Sequence, residues 1–150
     1  MLDDFLQEEM NTESATIPIG GNGDFIKIKP ANDKDFERER AKRMKRHKQA
    51  IKKDRLKDEV IQIELSPLIA EHLLIDWQLS TTPATAKKLF PSIKVKKTDD
   101  DDRVLIPFSV ENATQVLSHK LNFEFFAYCL TQAKETANFV EEDREDDAKN

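Results

Sequence analysis

"VIQIELSPLIAEHLLIDWQL" (residues 60–79) holds the densest apolar stretch of the chain, and how it is read decides the fold. Val60, Ile61, Leu65, Leu68, Ile69, Leu73, Leu74 and Trp77 recur at three- and four-residue spacing, the signature of one buried helical face. The opening "VIQIEL" also alternates as a strand would. Ser66-Pro67 interrupts the pattern. Proline suits the first turn of a helix with serine as its cap, so the segment is kinked or split there. The spacing as a whole predicts a helix over 58–79, with Trp77 at its end.

The rest of the chain reads around this segment. Before it, "IPIGGNGDFIKI" (residues 17–28) gives two short extended runs, 17–19 and 25–28, about a Gly/Asn turn. Pro30, Asn32 and Asp33 then supply a helix start. A helix rich in Glu, Lys, Arg and Ala follows to about Leu56, with a thin apolar stripe of Phe36, Met44 and Ile51. After the apolar segment, Ile93–Lys97 and Arg103–Phe108 are placed to pair as a second hairpin across Asp99–Asp102. Ser109 caps a helix over 110–118. Asn122 caps another, with Phe123, Phe126, Leu130, Ala133 and Ala137 on one face. The only three glycines are Gly20, Gly21 and Gly23, a distribution that argues against a turn-rich β architecture.

The expected fold is therefore mainly α: one small helical domain over 17–140, with a short N-terminal β-hairpin and a second hairpin near 93–108. Residues 80–103 read as an insertion-like loop. Residues 1–16 and 141–150 read as mobile acidic tails.

Charge is separated along the chain. Residues 34–57 hold twelve Lys/Arg against four acids, a net +8, whereas the whole chain is −5. Arg38, Lys42, Arg43, Lys45, Arg46, Lys48, Lys52 and Lys53 form the candidate electrostatic face. Phosphate binding needs such charges. Here they surround the helix, no aromatic is interleaved for base stacking, and the flanking segments are acidic. Acidic protein surface is the better match.

Chemistry is sparse. His47, His72 and His119 fall in different elements and lack partners at metal-ligand spacing. Asp76 is a lone acid, and one carboxylate makes no acid/base pair. The Asp99–Asp102 run lacks the alternating ligands, glycine and distal glutamate of a calcium loop. "GGNG" lacks the Lys-Ser/Thr of a phosphate loop. Cys129 sits among apolar residues, as a structural thiol does. No cofactor, metal or catalytic residue is expected, and the chain reads as a non-enzyme. No apolar run approaches the ~18–20 residues that cross a bilayer.

The order of these landmarks carries a resemblance. "FIKIKPANDKDFERERAKRMKRHKQAIKKDRLKDEV" joins a strand, a Pro-Asn/Asp helix start and a basic helix. "IAEHLLIDWQL" then brings Asp-Trp, and "RVLIPFSVENATQVLSHKLNFEFFAYCLTQAKETANF" brings Pro-Phe-Ser, Glu-Asn and a closing Asn-Phe. In this order the chain resembles the small tail assembly chaperones of long-tailed bacteriophages, with thirty residues (78–107) where relatives pass quickly from Asp-Trp to Pro-Phe. The resemblance implies a mostly helical protein of the infected cell's cytoplasm, absent from the mature virion. It would hold the tape measure protein soluble until tail tube protein polymerises around it. Leu74, Trp77, Phe108, Leu117, Phe123 and Phe126 are the candidate client surface, although large apolar residues of this kind also build cores. Separated charge leaves self-association open. The alternatives are a small nucleic-acid-binding phage regulator using residues 34–57, and a minor virion structural protein.

Overall fold

The computed structural model describes residues 13–139. Strand β1 (Ala15–Ile19) and strand β2 (Asp24–Ile28) form the expected N-terminal hairpin, paired antiparallel with Ile17 opposite Ile26. Its turn, residues 20–23, needs a left-handed backbone at Gly20 (φ 64°) and Gly23 (φ 81°), which glycine adopts without strain. Helix α1 (Lys34–Lys45) starts where the sequence said, with the Asp33 carboxylate accepting the Phe36 N–H at 3.0 Å. The helix then breaks at Arg46-His47 and resumes as the short α2 (Lys48–Lys52). Phe36 is the one buried residue of α1, and α2 has none.

The deciding segment divides three ways, which corrects the helix expected over 58–79. Helix α3 (Asp58–Leu68) runs straight through Ser66-Pro67, and Ser66 Oγ bonds back to the Gln62 carbonyl at 2.6 Å instead of capping a new helix. Proline brings no N–H to the carbonyl four residues earlier and crowds it. Immediately afterwards the chain widens into a π-turn, Ile69–Leu73, closed by the Leu74 N–H on the Ile69 carbonyl. Strand β3 (Leu74–Gln78) follows. It pairs antiparallel with β2, Ile26 opposite Trp77 and Ile28 opposite Leu74, with a register shift between them. That shift is a bulge that leaves Ile75 without a cross-strand partner. It lets Leu74 and Trp77, three residues apart, both turn inward at 5% exposure. A helix-like spacing thus comes from a strand.

The extended chain continues through β4 (Ser80–Thr81) into a second sheet. Here β6 (Val104–Leu105) lies between β4 and β5 (Lys96–Lys97), antiparallel to both. The expected pairing across the Asp run is present as Lys96–Leu105 and Lys97–Val104. Between β4 and β5 lies helix α4 (Pro83–Leu89), within the stretch expected to be loop. Thr82 accepts the Thr85 N–H at 3.1 Å and Pro83 takes the first turn. Helices α5 (Val110–Ser118) and α6 (Phe123–Lys134) close the molecule.

Among the described residues there are thus six α-helices and two three-stranded antiparallel sheets. The fold is mixed α/β, not the mainly helical domain with hairpins that the sequence suggested. One core serves both parts. Ile26 and Ile28 of the first sheet, Phe36 of α1, Ile69 and Leu73 of the π-turn, Leu117 of α5, Cys129 of α6 and Phe139 are all fully buried. Of the tails expected over 1–16 and 141–150, residues 1–12 and 141–150 fall outside the described residues, and Ala15 and Thr16 already belong to β1.

Candidate functional site

Trp77 is the hub of the landmarks singled out in the sequence. Strand β3 fixes its backbone, and its indole N–H donates to the Ile106 carbonyl at 2.8 Å. Phe108 stands edge-on to the ring at 5.4 Å between centroids, and Phe125 at 6.3 Å. Asp76 accepts the Trp77 backbone N–H at 2.8 Å through Oδ1. The Pro-Phe-Ser landmark closes the same corner. Ser109 Oγ caps α5 by accepting the Asn112 N–H at 3.0 Å, while the Asn112 amide donates to the Pro107 carbonyl at 2.9 Å. These residues join the two sheets to α5. Their work is architectural.

The six residues marked as a client surface do not assemble into an exposed apolar face. Leu74, Trp77, Leu117 and Phe126 are buried, and Phe108 and Phe123 are partly buried against the same core. Phe123 and Phe126 meet at 5.9 Å on α6, and Trp77 and Phe108 meet at the sheet junction.

The basic face does lie on the surface. Arg38 pairs with Asp35 at 2.9 Å and contacts Glu39, and Lys42 lies 3.5 Å from Glu39. All of these are side-by-side pairs on one exposed helix, each contributing little. Arg43, Lys45, Lys48, Lys52 and Lys53 have no ion-pair partner among the described residues. Arg46 is different. Its guanidinium grips Glu64 of α3 with two bonds, 2.9 and 3.1 Å, and His47 reaches the same carboxylate at 3.0 Å. Glu64 is only 9% exposed. Burial pushes its carboxyl up, but the His47 hydrogen bond and the Arg46 charge and hydrogen bond outweigh it and hold the group below the usual glutamate range. This clamp fastens the break between α1 and α2 to the core. Beside it, Val60, Ile63, Arg46 and His47 line an open hollow of about 270 Å³. Ile63 is 61% exposed and Ile51 48% exposed.

Two further clusters were not legible as sites. Asp33, Asp35 and His72 bring their ligand atoms within 4.8 Å of one another. Lys29 Nζ already sits 2.8 Å from Asp33 Oδ1, and Oδ2 caps α1, so an ammonium stands where a metal would. Burial raises the Asp33 carboxyl, yet the Lys29 and Phe36 hydrogen bonds and the Lys29 and His72 charges together lower it. The other cluster joins the sheets at a hollow of about 400 Å³ lined by Asp24, Ser80, Thr98, Asp99, Asp100 and Arg103. Asp24 is 6% exposed, and its Oδ2 accepts both the Ser80 N–H (3.0 Å) and hydroxyl (2.8 Å). Arg103 donates to the same hydroxyl oxygen at 2.6 Å. Nothing in the sequence brings Asp24 and Arg103 together. Only the strand crossing from one sheet to the other does so.

Fold and surface define a small α/β protein with a charged helical arm and no assembled catalytic group among the described residues. Residues 31–150 match the family described as the YdaY prophage protein, and the chain belongs to that family. Its origin is therefore phage. No curated protein and no solved structure matches the chain. Among the described residues no helix is long and apolar enough to cross a membrane.

Proposed function

We propose that this protein is a non-enzymatic tail assembly chaperone that binds the tape measure protein and keeps it soluble until tail tube protein polymerises around it. The carrying observation is the surface of α1, α2 and the first turns of α3. Ile51 and Ile63 lie exposed there amid Lys and Arg side chains that have no ion-pair partner among the described residues, while α1 and α2 are anchored by little more than Phe36, Met44 and the Glu64 clamp. A holdase needs such a surface: apolar enough to grip a helical client, charged enough to stay soluble, and shallow enough to let go. The client face accordingly moves from the buried aromatic set to this arm. The order of landmarks from Asp33 through Asp76-Trp77 to Pro107–Ser109 and Asn138-Phe139 supports the same reading, as does the phage family.

Co-expression with the tape measure protein of the same phage tests this. The client is expected in the soluble fraction with the wild-type chain, and in the pellet with Ile51→Glu/Ile63→Glu, two exposed changes that spare the core. A client equally soluble with both, or insoluble with the wild type, overturns the reading.

A second reading has one specific support: five residues of the candidate electrostatic face, Arg43, Lys45, Lys48, Lys52 and Lys53, lack an ion-pair partner among the described residues. A nucleic-acid-binding regulator would use them, with affinity falling steeply between low and physiological salt. Absence of DNA and RNA binding at low salt removes it.

A further inference from the structure

We infer that the hollow between α1 and α3 is the docking groove for residues 1–12 of the same chain, which lie outside the described residues. The groove is lined by Val60 and Ile63 of α3 together with Arg46, His47 and Glu64, and its wall is apolar nearly throughout. Ile63 stands 61% exposed beside a hollow of about 270 Å³. Grooves of this kind take the apolar side of an amphipathic helix. An uncovered groove alone names no occupant. Charge and sequence do.

The surface around the groove is basic: residues 43–60 hold eight Lys/Arg against three acids. Arg43 lies one turn before Arg46, and Lys57 one turn before Val60. Glu64, the acid that lines the hollow, is already taken up by Arg46 and His47. The groove therefore fits a segment that is apolar on one side and acidic elsewhere. "MLDDFLQEEMNT" (residues 1–12) is such a segment. Leu2, Phe5, Leu6 and Met10 recur at three- and four-residue spacing, the anchor pattern of helices that bind in grooves. Asp3, Asp4, Glu8 and Glu9 accompany them, with no Lys or Arg. The other acidic stretch, residues 141–150, matches the charge but not the groove, since it has no apolar residue larger than alanine. The arm of a second copy is basic as well and would be repelled.

The segment also reaches. Residue 13 leads into β1, where Ala15 stands opposite Ile28. The Lys29 N–H is bonded to the Leu73 carbonyl at 2.8 Å, and Leu73 lies nine residues along α3 and the π-turn from Glu64. Those steps put the groove within about 25 Å of Ala15. Residues 11–14, extended, cover about 13 Å, and a helix over residues 1–10 adds about 15 Å. Docked, the segment covers part of the surface assigned above to the client and competes for it. The docking itself does not rest on that assignment.

Paramagnetic relaxation in the full chain reads the contact. Gln7→Cys provides a site for a nitroxide, and the buried Cys129 thiol stays unlabelled. In isotope-labelled protein the amide signals of His47, Val60 and Ile63 are expected to lose most of their intensity. Those of residues 98–103, which share a hollow with Asp24 at the other end of β2, should keep theirs. Phe5→Asp/Leu6→Asp removes the apolar side of the segment, and Ile63→Glu spoils the groove without touching the core. Each should restore the lost signals. Asp3→Asn/Asp4→Asn/Glu8→Gln/Glu9→Gln should weaken docking by roughly fivefold, as exposed charge contacts allow. Mixing nitroxide-bearing chains that lack isotope with isotope-labelled chains that lack nitroxide should leave every signal intact. Undiminished signals in the first sample, broadening spread evenly over the surface, or broadening indifferent to any of the three changes overturns the inference. Equal broadening in the mixed sample does so too, since the occupant would then be a second copy's segment. No client is present in any sample, so this test and the chaperone test fail independently.

Discussion

Glu64 shows how much one side chain can hold. It is buried, yet it is satisfied by Arg46 from two directions and by His47, and it ties an otherwise solvated arm to α3. Removing the acid returns the largely exposed Arg46 to water and leaves the less exposed His47 ring without its partner, so Glu64→Ala should cost about 1 kcal/mol. Chemical denaturation followed at Trp77, the only tryptophan, measures it. The lowered carboxyls of Glu64 and Asp33 also set an acid limit. Each binds protons less readily folded than unfolded, so each stabilises the fold above its unfolded value, and that contribution is lost as pH falls through the lower folded one. Stability should therefore drop below about pH 4.5, and Glu64→Gln should flatten the drop. Trp77→Phe removes the indole bond to Ile106 and part of a packed ring, and should cost about 2–3 kcal/mol without altering the far-ultraviolet spectrum. Cys129 makes a simpler statement. Burial pushes its thiol up to about 12. Thiolate chemistry at pH 8 is therefore closed to it in the folded state, and its labelling by a disulfide reagent should track global unfolding.

Among elements, α2 ends in an informative way. The Asp54 N–H donates to the Ile51 carbonyl and the Arg55 N–H to the Ala50 carbonyl, the pair of bonds that closes a Schellman motif. Such a motif wants glycine at its left-handed position, and here Asp54 takes φ 52°. Asp54→Gly should stabilise the arm by about 0.5 kcal/mol, read as a small rise in helical signal and melting temperature. The same scale explains what the sequence made legible. The first hairpin, the Asp33 cap, the Ser109 cap and helix α5 follow from turn and cap chemistry between near neighbours, and so does the β5–β6 pairing. Helix α6 follows from its apolar spacing alone, because the expected Asn122 cap does not form: that side chain makes no cap bond, and its amide donates to the Val116 carbonyl instead. The break of 58–79 does not. Its apolar spacing fits a helix as far as Trp77, and a π-turn plus a bulge at Ile75 preserve that spacing while the backbone changes from helix to strand. Tertiary pairing with β2 decides the matter, and a strand partner fifty residues away leaves no local trace. Helix α4 is the opposite case: Thr82-Pro83 is a cap and first-turn signature, present in the sequence and outweighed by the surrounding prolines and charge. The candidate site divides in the same way. The exposed basic face follows from composition, whereas Asp24, Ser80 and Arg103 meet only because β3 runs on into β4.

The whole molecule combines a well-packed half with a barely attached one. Strands β2 and β3, α3, the π-turn, α5 and α6 share one core, with Ile26, Ile28, Ile69, Leu73, Leu117 and Cys129 fully buried. From Arg38 to Glu59 no residue is buried. That stretch of arm holds its helical bonds largely in water, and a five-residue helix such as α2 is far below the ~12–15 residues at which isolated helices become stable. Local opening of the arm therefore costs a small part of the global unfolding free energy. Hydrogen exchange followed by mass spectrometry should resolve the two halves. Amides of 48–57 are expected to exchange within seconds at neutral pH, those of 36–46 more slowly because of Phe36 and the Glu64 clamp, and those of 26–28 and 65–73 only on global unfolding. Glu64→Ala should move 36–46 toward the fast group and leave the core unchanged. Uniform slow exchange across residues 26–73 would contradict the division. If the arm is the client face, adding the client should slow exchange at 48–57 first, because a loosely held helix that gains a partner gains its order there.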